Sequence, residues 1–230
     1  SSDVCSSDLT VLGSELTVGR INIGLLNRII IDDLVLNDQS GKELLKIGRL
    51  SAKFEILPLF SGKISIGNVQ LFSFNANLER PTPQASTNFQ FVLDAFASKD
   101  TVKKKSNLDL RINSLLIRRG KVSYDVLSAE STPGKFNPQH IRLSNILANI
   151  SLKALQNDSV NAAIKRMSVE EEHSGFELKK LSLKIIANDR KMRIENFAID
   201  LPNTSLAMDT IRMEYDSLES LGRSEERRVG

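Results

Sequence analysis

Two neighbouring stretches, LTVGRINI at 16–23 and IIIDDLVL at 29–36, decide the reading of this chain. Both follow one stencil: apolar, any, apolar, two non-apolar residues, apolar, any, apolar. It is met at Leu16/Val18/Ile21/Ile23 and Ile29/Ile31/Leu34/Leu36, then at Leu45/Ile47/Leu50/Ala52 and Ile64/Ile66/Val69/Leu71. It recurs at Leu110/Ile112/Leu115/Ile117, Ile141/Leu143/Ile146/Ala148, Ala162/Ile164/Met167/Val169 and Phe176/Leu178/Leu181/Leu183. Met192/Ile194/Phe197/Ile199 and Leu206/Met208/Ile211/Met213 complete the series. With 40% hydrophobic residues, chance supplies roughly two such matches over this length.

Alternation of period two marks strands, whose successive side chains point to opposite faces. The gap of three in the stencil throws the second apolar pair onto the wrong face of a flat strand. A β-bulge at the middle pair restores the facing and bends the strand. The middle pairs suit this: Gly19-Arg20, Asp32-Asp33, Gly48-Arg49, Gly67-Asn68, Asn113-Ser114, Ser144-Asn145 and Glu195-Asn196 are rich in Gly, Asn and Asp, which tolerate positive φ. The alternative, a hairpin turn at each pair, leaves strands of about three residues, below the usual mode of five to six. Short connections such as Asn37–Gly41 and Ala187–Arg190 carry turn residues. The expected fold is mostly β: an elongated antiparallel meander curled into an open apolar groove, with one short amphipathic helix.

The helix is expected in NFQFVLDAFAS at 88–98, with Asn88 as N-cap and Phe89, Val92, Leu93 and Phe96 on one face. Its expected place is on the open side or mouth of the trough. Residues 10–80 then form a first groove segment, 81–107 the helix and linker, and 108–222 a second groove segment. Residues 2–9 (SDVCSSDL) and 223–230 (RSEERRVG) read as in-frame translations of sequencing-adapter DNA, so 1–9 and 223–230 are set aside as artefact. The single cysteine, Cys5, falls in the first of these, which removes disulfide and cysteine-zinc chemistry from the rest.

Charge is mildly basic at +3 and dispersed. The densest cluster, Lys103–Lys105, sits in a polar linker with no aromatic platform beside it, so no nucleic-acid partner is expected. No apolar run approaches the ~18 residues of a membrane-spanning helix. Phosphate-loop, dinucleotide, HExxH and GxSxG motifs are absent. Asp32 and Asp33 are adjacent on a strand and point apart. His173, in EEEHS at 170–174, reads as part of a solvated turn, and His140 lies beside the loop 128–139, which reads as plain surface. No catalytic residue, metal or cofactor is expected, and the chain does not read as an enzyme.

LTVGRINIG (16–24), IIIDDLVLND (29–38), GKELLKIGRL (41–50) and LPLFSGKISIGNVQL (57–71) resemble the membrane-proximal part of TamB-like proteins of the AsmA superfamily, the inner-membrane component of the translocation and assembly module. FVLDAFA (91–97) resembles versions from the Bacteroides-type lineage. The likeness is strongest over 14–127. It implies an inner-membrane anchor helix upstream, a long β-groove across the periplasm of a Gram-negative envelope, and a distal domain that docks on an outer-membrane Omp85-type barrel. The implied roles are phospholipid transport to the outer membrane and help in outer-membrane protein assembly.

The residue pattern leads to the same expectation. Acyl chains gain about 0.8 kcal/mol per buried methylene, so a sixteen-carbon chain recovers on the order of 10 kcal/mol in an apolar trough before binding costs. The expected lining is Ile23, Ile31, Ile47, Ile66, Val69, Ile112, Ile117, Leu183, Ile194 and Phe197, with lipid head groups left in solvent. Two rivals stand beside this: a scaffold that receives client strands by edge pairing, and a closed β-solenoid or sandwich serving as a binding module.

Overall fold

A computed structural model describes residues 7–11, 13–24, 27–55, 64–97, 108–109, 113–156, 159–188 and 190–214. The strands are β1 (Ser7–Val11), β2 (Ser14–Gly24), β3 (Arg28–Asn37), β4 (Glu43–Glu55), β5 (Ile64–Arg80), β6 (Leu108–Asp109), β7 (Ser114–Val126) and β8 (His140–Gln156). They continue as β9 (Ser159–Glu171), β10 (Phe176–Asn188), β11 (Lys191–Leu201) and β12 (Thr204–Glu214), and one helix, α1 (Gln90–Ala97), follows β5. Nine of the ten stencils lie wholly inside a strand. The tenth begins at Leu110, and its residues 110–112, with Ile112, lie outside the described residues.

The strands hydrogen-bond in the order β1-β2-β3-β4-β5-β7-β8-β9-β10-β11-β12, with β6 also on β5. First and last strands are not neighbours, so the sheet is open. Neighbours from β1 to β5 and from β10 to β12 are antiparallel. The expected all-antiparallel meander is corrected at β5, which runs parallel to β6, Ile64 beside Leu108, and to β7, Asn68 beside Ser114 and Arg80 beside Val126. A parallel neighbour needs a crossover of a dozen or more residues. The segment from 81 to 113, which contains α1, supplies it.

The chain divides into two compact units, Ser1–Leu147 with Val169–Glu177, and Ala148–Ser168 with Leu178–Gly230. In the first, hairpin chemistry at 37–41 is as expected. The Asp38 carboxylate accepts from the Ser40 and Lys42 amides at 2.8 and 3.0 Å, and Gly41 takes φ +86°. Burial alone pushes the Asp38 carboxyl up, but bonds from Ser40, Lys42 and Asn88 bring it below the ordinary range. In the second, the Asn188 side chain accepts from the amides of Arg190 and Lys191 at 3.0 and 2.9 Å.

The expected bends are present; their form is the expected bulge at Gly67-Asn68 and Glu195-Asn196 and is corrected at Gly19-Arg20, Asp32-Asp33 and Gly48-Arg49. Five strand residues other than glycine adopt left-handed φ: Asp33, Ser73, Arg119, Asn145 and Asn196, all between +50° and +56° and all exposed. Three belong to stencil middle pairs. The others shift the bend in β5 to Ser73 and in β7 to Arg119, away from Gly67-Asn68 and Asn113-Ser114. Across β2 to β5 the bend is matched strand to strand rather than bulged. Val18 pairs Leu34 and Arg20 pairs Asp32, so Gly19 faces Asp33 with no slip. Gly48 in turn faces Asp33 and Ser73. One-residue slips of the expected kind occur at two middle pairs: between Lys53/Phe54, leaving Gly67 as the extra residue, and between Ser182/Lys184, setting Asn196 and Phe197 opposite Leu183; a third lies between Leu36/Asn37.

A left-handed residue costs about 1–2 kcal/mol for an L side chain. It also reverses the in-out alternation. Val18 and Arg20 share a face of a flat strand, as do Ile47 and Arg49. Yet Val18 and Ile47 are 7% and 5% exposed while both arginines are open to solvent. The matched bend is therefore what carries the two halves of the stencils in β2, β3 and β4 onto one face, and in β5 the slip at Gly67 lies between the halves.

Candidate functional site

Registers in the first unit assemble the stencil residues into four apolar ladders. Leu16–Leu36–Leu45–Ala76–Val122 and Val18–Leu34–Ile47–Phe74 lie on one side of the bend line. Ile21–Ile31–Leu50–Leu71–Ile117 and Ile23–Ile29–Ala52–Val69–Leu115 lie on the other. Directly opposed apolar pairs of this kind are the stabilising unit of a sheet. Most of these side chains are only half-buried. The intervening rows are largely polar, for example Arg20–Asp32–Arg49–Phe72–Arg118. Arg49 grips Asp32 in that row with bonds of 2.6 and 3.3 Å.

The second unit repeats the scheme over β10, β11 and β12. Its ladders are Leu181–Ile199–Leu206, Ile185–Ile194–Ile211 and Ala187–Met192–Met213, with Phe197 opposite Met208 and Leu183 at the slip facing Asn196 and Phe197. Leu206, Met208 and Met213 on β12 are exposed.

Of the expected lining residues, Ile31, Val69, Ile117, Leu183, Ile194 and Phe197 are half-buried members of these rows. Ile23 is 81% exposed, and the described pairings of β1 with β2 reach from Ser14 to Val18. Ile47 is packed away. The backbone of Ile66 pairs with Phe54, but its side chain, like those of Leu93 and Phe96, lies outside the described residues.

Phe89 and Val92 of the helix segment are half-buried. Asn88 is corrected as an N-cap. Its amide oxygen accepts from the Glu79 backbone N–H at 3.0 Å, and its nitrogen donates to Asp38 and to the Asn77 carbonyl. Asn88 thus ties the approach to α1 onto β5 and the β3–β4 turn.

The opposite face is shallow and charged along the bend line. Depressions of about 410 and 340 Å³ run past Gly19, Arg20, Asp32 and Asp33, then past Gly48, Arg49, Ser73 and Arg119. Missing glycine side chains make this room.

Two clusters at the β7–β8 end were not legible in sequence. His140 Nδ1 stands 2.8 Å from the Asp125 carboxylate and Nε2 stands 3.0 Å from the Ala129 carbonyl. Both partners accept only, so both contacts are hydrogen bonds when the ring is doubly protonated, as an imidazolium. The Asp125 bond, then the Ala129 bond, raise its pKa. Burial pushes Asp125 up, but Arg142, 2.8 Å away, and His140 bring it below the usual range. The loop 128–139, expected as plain surface, is pinned by this histidine. The solvated reading of the 170–174 turn is corrected at Glu171, which is 3% exposed. It accepts from the Ser174 hydroxyl and from the amides of Ser174, His173 and Arg142. Burial raises its pKa, and those bonds more than reverse this, to about 2. No spacing signal could have revealed contacts between β7, β8 and the β9–β10 turn.

Among the described residues, no group of His, Cys, Asp and Glu is placed to hold a metal ion, and no helix is long and apolar enough to cross a membrane. The chain matches no protein-family model and no curated protein sequence.

Proposed function

We propose that this chain is a segment of a lipid-carrying envelope protein, in which the apolar ladder face receives phospholipid acyl chains between two membranes. The observation that carries this reading is the alignment of apolar residues into ladders on one face while the intervening rows are largely polar. A half-buried apolar face of this extent needs a partner that removes it from water. Acyl chains meet that need without specific contacts, because burial energy scales with apolar area. The role is one of carrying rather than chemistry. The likeness to TamB-like proteins supports a periplasmic setting, an inner-membrane anchor and an outer-membrane barrel as partner in the whole protein.

The test places a photo-crosslinking residue at Val69 or at Gln70 in the full-length protein. These neighbours send side chains to opposite faces. Phospholipid adducts at Val69 with few at Gln70 are the expected result. Equal labelling, or none, overturns it.

A second reading is a scaffold that receives client strands by edge pairing. It is favoured by β12, which ends the described strand order and exposes Leu206, Met208 and Met213. Adducts to polypeptide rather than lipid at Met208 select this reading.

A further inference from the structure

Three strands of the second unit meet at one rim, where β10 stops at Asn188, β11 starts at Lys191 and β12 stops at Glu214. A depression of about 500 Å³ lies there, lined by Ala187, Met192 and Met213 together with Lys191, Arg193 and Arg212, among others. Register sets the two residue pairs of this lining on opposite faces of the sheet, and the depression takes in both at the strand ends. Met192 opposes Met213 directly, and Arg193 opposes Arg212 directly. The first pair closes the last apolar ladder. The second sets two guanidinium groups side by side, and like charges directly opposite destabilise a sheet.

Nearby carboxylates do not balance them. Glu195 is shared between Lys184 at 2.9 Å and Arg193 at 2.8 Å, and Glu214 is engaged by Lys191 at 3.2 Å. Arg212 has no ion-pair partner among the described residues. Lys184, Lys191, Arg193 and Arg212 are four cations against the two carboxylates of Glu195 and Glu214, leaving two positive charges over. A ladder end of two methionines beside two arginines, of which Arg193 shares Glu195 with Lys184 and Arg212 has no ion pair among the described residues, has two chemical demands, an apolar body and an anionic group. Arginine suits the second, because its planar fork meets phosphate oxygens two at a time.

We propose that this rim is a head-group site for an anionic phospholipid. Its phosphate is held by Arg212 and Arg193, and its acyl chains run onto the Ala187–Met192–Met213 ladder. This rests on the acyl-chain reading of the apolar face. It adds that one rim selects by charge, where the ladders do not.

The test measures binding of dihexanoyl-phosphatidylglycerol, dihexanoylglycerol and inorganic phosphate to the full chain, below any micelle concentration, for wild type, Arg212→Gln and Arg212→Lys. The anionic lipid should bind wild type about tenfold more tightly than the uncharged one, the scale of one charge-assisted contact. Arg212→Gln should remove that difference and leave dihexanoylglycerol binding unchanged, while Arg212→Lys keeps most of it. Equal wild-type affinities, or no effect of Arg212→Gln, overturn the head-group site and leave the acyl-chain reading standing. Phosphate binding as tightly as the lipid reassigns the rim to a soluble anion and overturns the lipid part. No binding of either lipid overturns the acyl-chain reading and the head-group site with it.

Discussion

A Cβ placed on Gly19 would stand 3.0 Å from the Cβ of Asp33 and 3.1 Å from the Asp32 carbonyl oxygen. The same closeness recurs one strand pair on, where a Cβ on Gly48 would meet that of Ser73 at 3.1 Å. At Asp33 and Ser73 the left-handed residue thus has a glycine across from it in the next strand, with no room for a larger side chain. Gly19→Ala and Gly48→Ala must push backbone apart at the bend, and each should cost about 1–3 kcal/mol. Asp33→Gly relieves a left-handed strain of about 1 kcal/mol and adds a similar entropic cost, so it should be near neutral. Urea-unfolding midpoints check all three, and a neutral Gly48→Ala would mean the bend is not tightly packed.

Ile47 and Ile23 fit the same stencil and should respond in opposite ways. Ile47 is 5% exposed between Leu34 and Phe74, so Ile47→Ala should cost about 2–4 kcal/mol through lost burial and a cavity. Ile23 is 81% exposed, so Ile23→Asp should change stability by less than about 0.5 kcal/mol. If the face carries lipid, Ile23→Asp should still lower phospholipid crosslinking at Val69, three strands along the same ladder. Thermal melts and crosslinking on the same samples separate the two effects.

His140 makes stability fall on the alkaline side. Its folded pKa is raised, chiefly by the Asp125 bond. The folded protein therefore holds the proton more firmly than the unfolded chain, whose histidine titrates near 6.5. The stabilisation is complete below about 6.5 and is lost as pH rises through the folded value. Melts from about pH 5 to 9 should show this loss in wild type and a flatter profile in His140→Gln. A wild-type profile as flat as the variant's would show that the imidazolium bridge contributes nothing.

Glu171 acts in the acid direction. Its folded pKa of about 2 lies below the ordinary 4.5. Its contribution is full above the ordinary value and fades as pH drops from there toward about 2. Glu171→Ala leaves the amides of Arg142, His173 and Ser174 without their acceptor and should cost about 1–3 kcal/mol at neutral pH. Faster amide exchange at 172–174 in the variant is the local signature to look for.

Removing the exposed Arg49 to Asp32 pair supplies the contrast. Its geometry is good at 2.6 Å, yet the arginine is more than half open to water. Arg49→Gln should cost under about 1 kcal/mol, with the small loss vanishing in high salt. A larger, salt-insensitive loss would show that this pair holds the bend itself.

Strand positions, the turns at Asp38 and Asn188, and the bends at Asp33, Asn145 and Asn196 were all legible in the sequence. Each follows from local physics: period-two alternation, side-chain acceptors for turn amides, and residue types that tolerate positive φ. The apolar ladders were legible as a pattern, since a shared stencil aligns once strands pair in register. Tertiary structure alone decided the rest. Whether β5 takes β7 as a parallel neighbour depends on where the crossover through 81–113 returns, and alternation is the same for either direction. The bends at Ser73 and Arg119 fell at residues whose types do not announce them, because a strand must bend where its neighbours bend to keep its hydrogen bonds. The imidazolium of His140, the buried carboxylate of Glu171 and the opposed Arg193 and Arg212 arise from pairings between segments 10 to 30 residues apart. Such pairings are fixed by register, a property that no single segment contains.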